Sequence, residues 1–178
     1  MTRLFAASLL ALSLATPALS AGSDSSEPPK TTKTSTDCKS GEVWDEKTKT
    51  CLDVKSDAVT DDDRYLAARE LAYDGQYDRA LDVLAAAQNQ NDPRILNYYG
   101  FTNRKLGHTE VAMDYYRAAL AIDPDYVLAR SYMGQGLMAE GDLVGAVEQL
   151  EEIRLRAGTE TWAYASLRDA IAGAPTTW

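Results

Sequence analysis

The sequence holds one histidine and two cysteines in 178 residues. That scarcity leaves too few ligands for a soft-metal site and removes Ser-His and Cys-His catalysis. It is short of positive charge as well, with 18 Lys+Arg against 27 Asp+Glu and a net charge of −9. A nucleic-acid binder needs a basic footprint, so none is expected. Long apolar runs are absent beyond the first twenty or so residues, which excludes stable membrane insertion of the mature chain. No nucleophile–base set, phosphate loop, paired-ligand motif or cofactor fingerprint is present, so neither an enzyme nor a cofactor is expected.

The first 21 residues read as a secretory signal peptide. Arg3 supplies the positive start, Leu4 to Ala15 the apolar stretch, and Ala18-Leu19-Ser20 the small residues at the cleavage positions. A retained anchor is the rival, but the apolar stretch is shorter than the ~20 residues a spanning helix needs. Cys38 lies far from the cleavage site, so lipid attachment is not expected. Residues 22–37 are rich in Ser, Thr, Pro and charge and read as a disordered linker. Export to the periplasm or beyond permits disulfides, and Cys38 and Cys51 are the pair available.

Residues 38–55 suit a small hairpin stapled by that bridge. Gly41 allows a turn, Val43 and Trp44 favour a strand, Asp45-Glu46-Lys47 can turn, and Thr48 to Cys51 can return. The spacing C-x2-G-x-V-W-D-x5-C resembles one hairpin of the peritrophin-type chitin-binding domains, over fourteen residues. Those domains carry several more cysteines. The resemblance implies an alternative function, a cell-envelope carbohydrate binder with Trp44 as the stacking surface.

From residue 60 the spacing becomes helical. Thr60 with Asp63 has the form of an N-terminal capping box, and Asp61-Asp62-Asp63 favours a helix start. The alternating ligands and central glycine of a calcium loop are missing there. An internal repeat follows. Gly75, Gly107 and Gly141 lie 32 and 34 residues apart. Around them run the frames Ala68-Gly75-Ala80-Ala87, Gly100-Gly107-Ala112-Ala119 and Gly134-Gly141-Ala146-Ile153, with spacings of 7, 5 and 7 in each copy. Small residues permit close helix approach, and the middle glycine supplies positive φ at the end of a first helix. Asp92-Pro93 and Asp123-Pro124 separate one unit from the next.

The run Tyr99-Gly100, Gly107, Ala112, Tyr116, Ala119 and Pro124 resembles a tetratricopeptide repeat. The first copy is similar through Gly75, Tyr77, Ala80, Leu84 and Ala87. The third is similar through Met133, Gly134, Leu137, Gly141, Ala146 and Leu150. Asn103 and Ile153 depart from the pattern, and the third copy ends in Gly158 where proline is usual. The resemblance, to an exported bacterial member of the family, implies an all-α superhelical solenoid over 61–178: three antiparallel helix pairs at about 61–92, 93–126 and 127–160, and a capping helix at 161–172. Leu167 and Ile171 should seal the third copy, with Arg168 facing water. No cap is evident at the N-terminal end, which leaves that end open to self-association and the oligomeric state open.

Such arrays bind partner proteins or peptides in a groove lined by their first helices. Helical phase assigns to it Tyr65, Arg69 and Ala72, then Arg94, Asn97, Phe101, Arg104 and Lys105, then Ser131, Gln135 and Met138. Phe101 falls off the stripe of Leu96, Tyr99, Gly100 and Asn103, so it is expected to be exposed and to anchor a peptide. Arg69, Arg94, Arg104 and Lys105 make the groove locally basic. The family's carboxylate clamp is not expected, because Leu128 and Tyr132 stand where it needs basic residues. His108 reads as a solvated loop residue, and Glu148, Glu151 and Glu152 as a solvated face rather than a metal site. Trp178 at the terminus is expected to be disordered, with a partner contact as the alternative. The function expected is a periplasmic adaptor or scaffold for a protein or peptide partner in the cell envelope.

Overall fold

The computed structural model describes residues 35–174. The expected leader, residues 22–34 of the linker and Trp178 lie outside the described residues. A short 3-10 turn, Ser35–Asp37, precedes strands β1 (Glu42–Asp45) and β2 (Thr50–Asp53). Seven helices follow among the described residues: α1 (Asp61–Tyr73), α2 (Tyr77–Ala85), α3 (Pro93–Lys105), α4 (Thr109–Ile122), α5 (Val127–Glu140), α6 (Leu143–Ala157) and α7 (Trp162–Ile171). No helix there is long and apolar enough to cross a membrane.

The three glycines solve one backbone problem three times. Gly75, Gly107 and Gly141 have φ of 82°, 84° and 83°, a left-handed conformation that a Cβ disfavours. After each, the next N–H reaches back to close the last turn: Gln76 to Leu71 O at 2.9 Å, His108 to Asn103 O at 2.9 Å, and Asp142 to Leu137 O at 2.8 Å. The chain then reverses, and α1–α2, α3–α4 and α5–α6 fold into hairpins. Other small residues set the approach distance. A Cβ on Gly100 would lie 2.6 Å from the Tyr116 ring of α4. A Cβ on Gly134 would lie 2.6 Å from Leu167, so α7 enters α5 at a position only glycine leaves open.

Helix starts follow their sequence signals. Thr60 and Asp63 form a reciprocal capping box. Asp92 caps α3, with Pro93 in its first turn. Thr161 caps α7 through the Tyr164 N–H at 3.2 Å. Leu167 is fully buried, Ile171 packs beside it, and Arg168 faces water on Asp169.

Strands β1 and β2 pair antiparallel, Trp44 opposite Cys51, and the Cys38–Cys51 disulfide ties β2 to the segment before β1. This hairpin is part of the helical core. Val43, Val54 and Val59 are buried in the same cluster as Ala67, Ala68 and Leu71 of α1. Arg64 is 2 % exposed; it donates from Nε to Val54 O at 2.9 Å and pairs with Asp61 at 2.9 Å. Arg79 of α2 donates to Cys38 O at 2.9 Å. The Ser35 N–H donates to Glu70 Oε2 at 2.9 Å, so Ser35–Asp37, expected in the linker, belongs to the folded unit. The array's first end, expected to be open, is covered by the hairpin.

The apolar interior falls into two clusters rather than one. The larger runs from the hairpin to the first half of α5. The smaller, Val127, Ile153, Ala163 and Leu167, lies under α7. Polar residues fill α5 between them, with Gln135 donating to Ser166 Oγ of α7 at 3.0 Å.

Candidate functional site: the face of the first helices

Helices α1, α3, α5 and α7 are the leading helices of successive units, and their side chains meet on one face. Aromatic rings dominate it. Phe101 packs against Tyr132 at 4.9 Å and Tyr73 at 5.3 Å between centroids, and Tyr98 lies 5.5 Å from Tyr65. Trp162 continues the row at 6.2 Å from Tyr132. The hydroxyl of Tyr73 is shared between Tyr98 at 2.7 Å and Tyr132 at 2.5 Å. Burial pushes the phenols of Tyr73, Tyr98 and Tyr132 up, so they stay neutral and hydrogen-bonding.

This overturns the expected exposure of Phe101, which is 1 % exposed. Its phase leaves the stripe of its own helix pair, but rings from α1 and α5 close over it. Tyr65, Asn97 and Gln135 are buried as well. Asn97 donates from Nδ2 to the Tyr126 hydroxyl at 3.3 Å. Arg94 is held by Asp62 and Asp92, each at 2.7 Å, and covers the Tyr65 ring, so its charge is matched locally. Arg69 sits 5.8 Å from the Tyr73 ring.

Arg104 and Lys105 differ from these. Both are half-buried at the end of α3, over the Phe101 ring at 5.5 and 6.0 Å. Arg104 donates weakly to Gln135 Oε1 at 3.4 Å. Burial, then the neighbouring Arg104 charge, lowers the Lys105 ammonium from its ordinary value. Two adjacent cations on an aromatic floor, with Met138 half-buried on the next unit, can take an anionic or apolar group from a partner.

Residues 93–126 match a tetratricopeptide repeat. The match covers α3, α4 and the turn into α5, and the glycine turns of the units on either side repeat its geometry. No curated protein matches the chain. Tetratricopeptide repeats suggest protein partners, and nothing here points to catalysis.

Other expected positions fall elsewhere. Trp44 is half-buried on β1 and donates from Nε1 to Glu46 Oε1 at 3.1 Å. His108 is exposed, with Nδ1 3.2 Å from Asn103 Oδ1. Glu151 and Glu152 pair with Arg154 and Arg156 along α6. No group of three or more His, Cys, Asp or Glu that could hold a metal occurs among the described residues. Sequence reasoning missed the floor rings Tyr73, Tyr98 and Trp162, although Tyr98 and Tyr132 stand one repeat period apart.

Proposed function

We propose that the chain is an exported interaction module, an adaptor or scaffold of the cell envelope. It holds a partner protein or peptide on the face of α1, α3, α5 and α7. In this reading the helix pairs stack as a superhelical solenoid and that face is its concave groove. The tetratricopeptide match at 93–126 supports the class of function. The apolar leader-like start and the Cys38–Cys51 disulfide support a compartment where thiols are oxidised. The observation that carries the site is the Arg104–Lys105 pair over Phe101 beside Gln135.

Because Phe101 is buried, its truncation would test folding rather than binding. The informative variant is Arg104→Glu with Lys105→Glu. In-cell crosslinking of the wild type should capture a discrete protein partner, and the double variant should lose it while keeping its helical circular dichroism. Equal capture by both would remove the site from this face. The carbohydrate alternative gains no support: Trp44 is the single aromatic residue of 38–55, and its hairpin is packed on α1.

A further inference from the structure

The hairpin is held to the array by its valines, buried against α1, and by hydrogen bonds that grip its backbone. Arg79 Nη2 donates to three carbonyls, Ser35 O at 3.3 Å, Cys38 O at 2.9 Å and Lys39 O at 3.2 Å. Arg64 donates from Nε to Val54 O at 2.9 Å and from Nη2 to Ser56 O at 3.3 Å. Ser35 N–H donates to Glu70 Oε2 at 2.9 Å. Carbonyls can serve as docking points only while the chain that carries them keeps its shape. Two strands of four residues are marginal by themselves. What fixes the shape is the disulfide across a sequence separation of 13, whose Cys38 carbonyl is itself one of the three gripped by Arg79.

We propose that the Cys38–Cys51 bond is a redox latch on the end cap, and that reduction releases the hairpin from α1 and opens the first end of the array. The co-reactant is a dithiol. Its thiolate attacks the Cys51 sulfur, which is the less buried of the two, and expels the Cys38 thiolate. Its second thiolate then closes on the mixed disulfide and expels the Cys51 thiolate. The reductant leaves as its own cyclic disulfide, and both cysteines take up protons. Release uncovers Val43, Val54 and Val59 and the side of α1 they cover. This device stands on the hairpin contacts and does not depend on the binding face of α3 and α5.

Hydrogen exchange on the full chain tests it, in oxidised and dithiothreitol-reduced forms and in Cys38→Ser with Cys51→Ser. For a loop of this length, loss of the bond should raise hairpin opening about a hundredfold. Amides of β1, β2 and the first half of α1 should therefore exchange about a hundredfold faster, with α5 and α6 unchanged. Arg79→Ala in the oxidised protein should move the same amides in the same direction. Exchange in α1 that is equal in both redox states would overturn the latch, and so would an even rise across all helices. Wild-type exchange in Arg79→Ala would overturn the docking role of the carbonyl contacts.

Discussion

Gly100→Ala isolates the close approach of α3 and α4. An alanine Cβ at this position would sit 2.6, 2.7 and 3.0 Å from three carbons of the Tyr116 ring, and that ring is fully buried. Contacts below about 3 Å force a shift, and a rigid ring in a packed interior cannot swing aside. Overpacking of this kind costs about 1–3 kcal/mol. Against it stands the gain from replacing glycine inside a helix, about 1 kcal/mol. The clash should therefore prevail by up to about 2 kcal/mol. For a domain of this size that lowers Tm by up to about 8 °C. The assay is urea unfolding followed by circular dichroism, run as a double-mutant cycle with Tyr116→Leu. Without the ring, the alanine should become neutral or stabilising, giving a coupling of about 1–3 kcal/mol. A stabilising Gly100→Ala in the wild-type background, or a coupling below about 0.5 kcal/mol, would refute the steric reasoning.

Two further outcomes follow from the packing. Burial raises Tyr73, Tyr98 and Tyr132 and pushes Tyr116 up to about 12, which favours the neutral phenol in the folded state. Their contribution to stability is complete below the ordinary value near 10 and is lost as pH climbs above it. Tyrosinate absorbance should therefore rise together with loss of helical signal, and titration of all ten tyrosines with the helices intact would contradict it. Leu167→Ala should empty the contact at Gly134 and destabilise the C-terminal end by about 2–5 kcal/mol. A red shift of Trp162 fluorescence, read in a Trp44→Phe, Trp178→Phe background, would report loosening of α7, and an unchanged spectrum would not fit.

The helix pairs were legible because one residue type answers one backbone demand. A left-handed residue ends each first helix, and glycine at intervals of 32 and 34 betrays it. The Thr60 capping box and the Asp92-Pro93 start were legible for the same reason, since each acts within four residues. Phe101 was misread because helical phase describes one helix at a time. The rings that bury it, Tyr73 and Tyr132, come from other units. The docking of the hairpin was hidden because its acceptors are carbonyls, which every residue has. A trace was nonetheless present: Arg64 and Arg130 occupy the frame position of Leu96, a place for an apolar side chain. Both turn inward to main-chain oxygens, Arg64 to Val54 O and Arg130 to Pro124 O at 2.9 Å.

The two ends of the array are finished by unlike parts, a cross-linked ribbon at one and a lone helix wedged at Gly134 at the other. An extra copy spliced at the Asp123-Pro124 junction would meet neighbours shaped to receive it, whereas one placed directly before α1 would compete with the hairpin for the apolar side of that helix.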